Sequence, residues 1–236
     1  VWVGAVTIVM AAGFAVFQKD LKLVLIYSTV SQLGYMVAGV GLGSSLGIAG
    51  GLLHLVNHMF FKDLLFLTAG AIIVQTHRQN MDEMGGLARN MPVTLAFFCI
   101  GAACVIGIPP SNGFTSKWIL YHALMEQGHV LPAVLSLAGS VITLAYFAKA
   151  LHSAFLGRPA PELEHVTEAP KVMLLPMGVL AGLCLLTSLL PGLILYPLNK
   201  VLAEYGLPVL DVALYGLASG RGAWNAVIAS CLFGAA

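Results

Sequence analysis

Charge is the property that this sequence has least of. Among 236 residues, 11 are Lys or Arg and 10 are Asp or Glu, so charged residues make up 9% of the chain and the net charge is +1. A water-soluble domain carries roughly 25% charged residues. The deficit excludes a chain that covers its surface with polar groups, and the scattered basic residues give no sign of nucleic-acid binding.

The cysteine spacing of metal and disulfide sites is also missing. No Cys-x2-Cys pair occurs, and we interpret the four cysteines as small buried hydrophobic side chains. We find no iron–sulfur cysteine set, no nucleotide-phosphate loop and no convincing haem pair, and we therefore expect no cofactor, no metal and no catalytic site in this chain. The cysteines lie in apolar runs, at Cys99, Cys104, Cys184 and Cys231.

A cleavable leader is not recognisable either. Val1 lies inside the apolar run VWVGAVTIVMAAGFAVF with no basic segment before it. A signal peptide begins with positive charge and ends at a small-residue cleavage site. We interpret the chain as beginning partway through a longer protein.

Apolar residues are abundant: they form 59% of the chain, and the mean hydropathy is +0.92. A helix that spans a bilayer needs about 20 apolar residues, and we find no strand alternation. Because only helices and closed barrels span lipid, we predict an all-α polytopic transmembrane bundle, residues 1–192, followed by a tail, residues 193–236, with weak apolar helices. About seven spans are predicted, at 1–17, 23–41, 46–76, 92–108, 113–127, 130–156 and 172–190.

Basic residues between the spans predict an orientation, since the side richer in Lys and Arg faces the cytoplasm. If the chain crosses the membrane once at each predicted span, Arg158 and Lys171 lie on the side with fewer Lys and Arg residues. Their loop, 157–171, is the most hydrophilic stretch and holds Glu162, Glu164 and Glu168. The richer side holds Lys19, Lys22, Arg78, Arg89 and Lys200.

The clearest chemical signal is a row of titratable residues in the third span. The segment GLLHLVNHMFFKDLLFLTAG places His54, His58 and Lys62 four residues apart, on one face of a helix. Lys62 lies near mid-span, where a charge costs about 2.5–3.5 kcal/mol and cannot snorkel to the surface. Three buried groups that hold and release protons predict a proton relay. Asp63, about 100° further round the helix, is a candidate modulator.

Other interpretations of this row remain open. His54 and His58 are also compatible with core histidines whose hydrogen bonds are satisfied, or with a zinc or haem site, although no acidic or cysteine third ligand accompanies them. A membrane scaffold would tolerate apolar replacement of its buried ionisable residues. An independent Na⁺ or solute transporter would favour deep carboxylates, of which Asp63 is the clear case.

A second cluster of signals lies in GIPPSNGFTSKWIL. Two prolines forbid continued helix and Gly113 allows a turn, so we predict a discontinuous helix near Pro109–Lys117, with Lys117 as a relay residue. The alternative is an ordinary turn with Lys117 at the interface. Further candidates are Lys149 in the relay, and His122 and Glu126 as modulators; each alone is also typical of an interfacial residue.

Three segments together resemble one family. QKDLKLVLIYSTVSQLGYM, HLVNHMFFKDLLFLTAG and GIPPSNGFTSKWIL occur in order. They look like the antiporter-like proton-translocating subunits of respiratory complex I, Mrp-type cation/proton antiporters and membrane-bound energy-converting hydrogenases. The resemblance covers roughly residues 10–190 and leans towards the hydrogenase-linked members through Asn-Gly-Phe-x-Ser-Lys-Trp.

The resemblance implies roles for the same residues. His54, His58 and Lys62 match the family's central hydrophilic axis, Lys117 matches the lysine or glutamate on its discontinuous helix, and Lys149 matches a further basic position. The family fold has two inverted repeats, of which this chain would supply the second. Two departures are Asp63, where a small residue is expected, and the tail with its Gly-rich segment 216–222.

The function implied is proton translocation, with Na⁺ as an alternative ion, within a redox pump or a multisubunit antiporter. Partners would be other membrane subunits and the lipid bilayer, and any electron chemistry would belong to those subunits. The location implied is a prokaryotic cell (inner) membrane, which the chain would cross several times.

Overall fold

The computed structural model describes residues 1–158, 161–163, 165–219 and 222–234. Glu164 of the hydrophilic loop, and Gly220 and Arg221 of the Gly-rich segment, lie outside the described residues. Most of the described chain is α-helical, and the short turns of helix at 81–83, 152–156 and 161–163 add to it. The α-helices are α1 (Trp2–Phe17), α2 (Leu21–Val40), α3 (Ser45–Thr76), α4 (Pro92–Ile106), α5 (Asn112–Glu126), α6 (Val130–Leu151), α7 (Lys171–Leu189), α8 (Gly192–Glu204) and α9 (Ala226–Gly234).

Short polar side chains fix where the helices begin. The carboxylate of Asp20 accepts hydrogen bonds from the first backbone N–H groups of α2. Ser44 does the same for α3, and Ser111 does so for α5. Such N-caps satisfy backbone donors that have no partner inside the helix. Gly107, in the left-handed region at φ 85°, ends α4 after Ile106.

Helix α3 is the centre of the bundle and packs against α2, α4, α5, α7 and α8. Glycines let its neighbours approach closely. A Cβ on Gly34 of α2 would lie 2.7 Å from the carbonyl oxygen of Gly4 in α1, and one on Gly47 of α3 would lie 2.8 Å from that of Gly39. Close contact at small residues is how helices associate in membranes.

Several helices are suited to crossing a membrane. Helices α2, α3, α6 with its extension to Leu156, and α7 are long and apolar enough to span, while α1 and α4 are shorter apolar helices. The protein is therefore a multi-pass helical membrane protein. The predicted count of about seven spans is not confirmed by these four helices.

Helices α4 and α5 form two halves of one path through the bundle. The N–H of Ala88 bonds to the carbonyl oxygen of Phe155 at 3.1 Å, so α6 and its extension end where α4 begins. Together α6 and its extension comprise 27 residues and are about 40 Å long, so α6 begins at the opposite end of the bundle. Helix α5 leads into α6 and therefore ends at that opposite end. The chain breaks between Ile106 and Asn112, which overlaps the discontinuity predicted near Pro109–Lys117.

This path changes the predicted orientation of two basic residues. Arg78 forms an ion pair with Glu162, and the carbonyl oxygen of Arg158 lies against Gly85. Arg158 therefore lies at the same end of the bundle as Arg78. So does Lys171, because nearby Glu168 accepts from the backbone N–H of Val93 at the start of α4. Their predicted placement on the opposite side is wrong, because the sequence pattern counts α4 and α5 as two crossings.

The tail contains a small antiparallel sheet, so the all-α prediction is wrong in this part. Its strands are β1 (Asp211–Ala213), β2 (Gly216–Ser219) and β3 (Gly222–Asn225), in the order β1-β2-β3. Strands of three or four residues are at or below the shortest run in which alternation can be recognised. The sheet lies beside α5, where the Trp224 ring centroid is 4.8 Å from that of Phe114.

Candidate functional site

The titratable row of α3 is buried inside the bundle. His54, His58 and Lys62 are 0%, 8% and 3% exposed, and the ring centroids of the two histidines are 6.4 Å apart. His54 lies 3.0 Å from the amide oxygen of Gln32, which is close to the middle of α2. The structure therefore places the predicted row at depth and on one face.

His54 connects α2 and α5 through its two ring nitrogens. Its Nε2 faces Gln32 Oε1 at 3.0 Å, and its Nδ1 faces Ser116 Oγ at 2.8 Å. Because an amide oxygen only accepts, this arrangement assigns a proton to Nε2. Ser116 also reaches the carbonyl oxygens of Asn112 and Gly113 at 3.3 and 3.2 Å. By rotating, its hydroxyl can donate to neutral His54 or accept from a protonated ring.

The side chain of Lys117, a residue of α5, reaches across the break to the end of α4. Its ammonium donates to the carbonyl oxygens of Val105 and Ile106 at 2.8 and 3.1 Å, and to Ser140 Oγ at 3.1 Å. The two carbonyls belong to the last turn of α4, the negative end of the helix dipole. The three ammonium protons thus have three acceptors, and the Tyr35 ring lies 4.8 Å from the ammonium nitrogen.

Ser140 organises the hydrogen bonds around Lys117. Tyr35 donates its hydroxyl proton to the carbonyl oxygen of Ser136 at 2.6 Å, so the 2.9 Å bond between Tyr35 and Ser140 is donated by Ser140. Tyr121, at 2.7 Å, then donates to Ser140. If Lys117 becomes neutral, the Ser140 hydroxyl can rotate and donate a hydrogen bond to the lone pair on Lys117 Nζ.

His58 and Lys62 are different, because their polar ends are buried without partners. Neither His58 Nε2 nor Lys62 Nζ has a hydrogen-bond partner within the part of the chain that the structure describes. Lys62 Nζ lies 5.7 Å from the Phe66 ring centroid. A buried charge without a partner is expensive, so a charged Lys62 needs water or a group from outside the described residues.

Asn112 joins the break to α3 and α7. Its backbone N–H donates to Ser188 Oγ at 2.7 Å, its side-chain amide to Thr187 Oγ1 at 3.0 Å, and its carbonyl accepts from Asn57 at 3.0 Å. The same carbonyl is within 3.3 Å of Ser116 Oγ. Asn112 therefore fixes the first turn of α5 and lies next to the hydroxyl that serves His54.

The other candidate residues lie apart from this cluster. Lys149 binds the carbonyl oxygens of Val16 and Gln18 at the end of α1, at 3.0 and 2.9 Å. Asp63 is exposed on α3. In the C-terminal half of α5, His122 Nε2 lies 3.3 Å from Glu126 Oε1. The His122 ring stacks on that of Trp118 with centroids 5.1 Å apart.

No metal-binding group is recognised in the described ranges, in the sense of three or more His, Cys, Asp or Glu side chains placed together. The structure instead adds polar residues that the sequence analysis did not select. Two of them, Gln32 and Tyr35, had a signal in the sequence, because together with Ser28 they recur at helical spacing in an otherwise apolar segment. Ser116 lies beside Lys117 in a segment that was already singled out, whereas Ser140 has no such signal.

Comparison with known proteins identifies the family. Residues 1–143, more than half of the chain, match the family model described as NADH:quinone oxidoreductase/Mrp antiporter, transmembrane. The chain belongs to this family. The resemblance predicted from the three sequence segments is therefore confirmed.

Relatives of this antiporter family are membrane-complex components. Hydrogenase-4 component B of Escherichia coli (strain K12) is 36% identical over 209 residues, covering 79% of this chain and 31% of the relative. NADH-quinone oxidoreductase subunit L of Rickettsia bellii (strain RML369-C) is 38% identical over 183 residues, covering 76% and 28%. The chain spans about a third of the length of these curated relatives.

A solved structure of a related complex shows the same fold. In the membrane-bound sulfane sulfur reductase, an archaeal respiratory membrane complex, one chain matches with a TM-score of 0.93 and 32% identity. The match covers 99% of this antiporter-family chain and 38% of the other. It therefore includes almost all of the tail, whose sequence follows no pattern that we could place.

Proposed function

We propose that this chain moves protons across a prokaryotic inner membrane as part of a redox-driven pump or a multisubunit cation/proton antiporter. The observation that carries the proposal is the arrangement around the helix break. Lys117 has an acceptor for each ammonium proton, and His54 reaches the same helix through Ser116 at 2.8 Å. Two buried groups that can each exist in two charge states thus lie on or against the same helix, and each has a hydroxyl neighbour that can reorient, Ser116 beside His54 and Ser140 beside Lys117.

The proposed relay runs through Lys62, His58, His54 and Lys117. His58 lies one helical turn from His54 and one from Lys62 on the buried face of α3. Since unit charges interact strongly where the dielectric constant is reduced, a proton arriving at one of these groups makes the next harder to charge. Coupled titration of this kind moves charge along the row without a large change of fold.

Membrane placement completes the proposal. We infer that the end of the bundle carrying Lys19, Arg78 and Arg158 faces the cytoplasm, because Lys and Arg concentrate there. Helices α4 and α5 would then make one broken crossing. Residues 1–192 would form the second inverted repeat, with the tail appended, and electron transfer would take place in partner subunits.

Lys62→Met in the full-length parent complex tests the relay. Proton uptake into proteoliposomes is expected to fall to background while assembly is retained, because Met keeps the volume of the side chain and removes the proton carrier. Lys200→Met is the matched control, since Lys200 is exposed on α8, and it should leave uptake unchanged. Normal uptake in the Lys62 variant would make Lys62 a structural charge and favour a scaffold.

A further inference from the structure

The carboxylate of Asp63 is exposed on α3 at a depth where contact with lipid would be unfavourable. Asp63 is residue 19 of the 32 in α3 and is exposed. It lies about 27 Å along the helix from Ser45 and about 20 Å from Thr76. A charged side chain at such depth faces protein or a water-filled cavity rather than lipid.

Asp63 forms no ion pair or hydrogen bond with any residue that the structure describes. The adjacent Lys62 does not neutralise it. Successive helix positions point about 100° apart, and Lys62 is buried in the bundle at 3% exposure. The carboxylate is therefore directed away from the relay and has no counter-charge of its own.

Exposed apolar residues continue the same face of α3 above and below Asp63. Leu55, Met59 and Phe66 are 41%, 51% and 37% exposed, at spacings of four, four and three residues. A Cβ at Gly70 would meet no described atom within 4 Å. This surface, the Asp63 face, consists of Leu55, Met59, Asp63, Phe66, Gly70 and Val74.

The exposed faces of other helices differ from the Asp63 face. In α2 the exposed stripe from Leu23 to Val40 is apolar throughout, and the stripe of α6 from Val130 to Leu144 is apolar as well. Such stripes are suited to lipid. The Asp63 face shares their apolar character and their length, about 28 Å from Leu55 to Val74, and differs by its central carboxylate.

We propose that the Asp63 face docks one membrane-spanning helix that carries a lysine or arginine at mid-height. A helix is the element that satisfies its own backbone within the membrane. Its apolar side chains would pack between Leu55, Met59 and Phe66, and Gly70 would allow close approach. The cation of the docked helix would form an ion pair with Asp63. This ion pair would attract the helix, fix its orientation and select it over helices without a cation.

Photo-crosslinking in native membranes tests the occupant directly. A benzoylphenylalanine at position 59 or 66 of the full-length protein should give adducts that map to the middle of one membrane-spanning helix, within a turn of a Lys or Arg. Position 30, on the apolar stripe of α2, is the control and should give lipid adducts. Lipid adducts alone from positions 59 and 66, or adducts on a helix without such a cation, would overturn the proposal.

Charge exchange tests the pairing. Asp63→Lys should lower the recovery of intact complex about tenfold, because it sets two cations together, and Asp63→Asn should lower it about threefold. Asp63→Lys combined with Lys→Asp or Arg→Asp at the mapped cation should restore recovery to within about twofold. Wild-type recovery of both single variants, or no rescue by the exchange, would contradict the ion pair.

Discussion

The ammonium of Lys117 donates to the carbonyl oxygen of Val105 at 2.8 Å, across the break between α5 and α4. Lys117 thereby caps the C-terminus of α4, which the following Pro109-Pro110 segment prevents from continuing as a helix. An ammonium can serve Val105, Ile106 and Ser140 together, whereas a neutral amine has two donors for three acceptors. The charge of Lys117 and the geometry of the break are therefore linked.

Ser140→Ala should slow proton transfer without preventing assembly. The variant removes the third acceptor of Lys117 and the acceptor of Tyr121. Since a hydrogen bond to a charged group contributes about 1.5–3 kcal/mol, we expect proton uptake to fall at least about tenfold. The measurement is initial uptake in proteoliposomes per assembled complex.

Ser136→Ala is the matched control for this variant. Its hydroxyl bonds only locally, to the carbonyl oxygen of Pro132, and Tyr35 uses the backbone oxygen of Ser136, which the substitution retains. Uptake should therefore stay within about twofold of wild type. Equal losses in the two variants would show that the Ser140 hydroxyl has no special role.

Residues close together in the sequence were predicted well, and those brought together by tertiary packing were not. His54, His58 and Lys62 share a face because the helix period fixes it. The break before Lys117 follows from Pro109 and Pro110. Both depend on local chain geometry alone.

Long-range contacts have no such local rule. Nothing in the spacing of Ser140 indicates that it meets Lys117, which is 23 positions earlier. Lys149 is similar: its bonds to Val16 and Gln18 join α6 to α1, and sequence alone gave it a place in the relay, which stays a prediction. The small sheet was missed because its strands are too short for a pattern.

Asn112 and Thr187 should be energetically coupled. The amide of Asn112 donates to Thr187 Oγ1 at 3.0 Å between two buried residues. Asn112→Ala should lower the free energy of unfolding in detergent by about 1–3 kcal/mol, because it leaves Thr187 with fewer partners. A double-mutant cycle with Thr187→Val should give a coupling of at least about 0.5 kcal/mol. Strictly additive losses would show that the bond does not hold the break.

Lys149→Met should destabilise the fold rather than block the relay. Lys149 caps the C-terminus of α1, where a cation interacts favourably with the helix dipole. We expect a loss of about 1–3 kcal/mol in stability, with unchanged uptake per assembled complex. Lys149→Arg retains the cation and should recover most of the stability. Full stability combined with lost uptake would return Lys149 to the proton path.

Glu168 should make the stability of the protein depend on pH. It caps α4 from a distant loop, accepting from the backbone N–H of Val93 at 2.7 Å and from the Thr94 hydroxyl at 2.6 Å. Burial alone would raise the pKa of Glu168, but the bonds from Thr94, Ala169 and Val93 outweigh it, and the pKa lies below its usual value. The folded state therefore favours the ionised carboxylate.

A lowered pKa gives stability that is complete above the unfolded pKa of a glutamate, about 4.3, and that is lost as the pH falls through the folded pKa. Glu168→Gln should therefore melt at a lower temperature than wild type at pH 7, and the difference should shrink below about pH 4. Thermal melting in detergent from pH 8 to pH 3 measures this. Glu204→Gln, at an exposed position on α8, should follow the wild-type curve. Coincident curves for wild type and Glu168→Gln at all pH values would mean that the cap does not depend on ionisation, and that the carboxylate contributes no more to α4 than a neutral amide would.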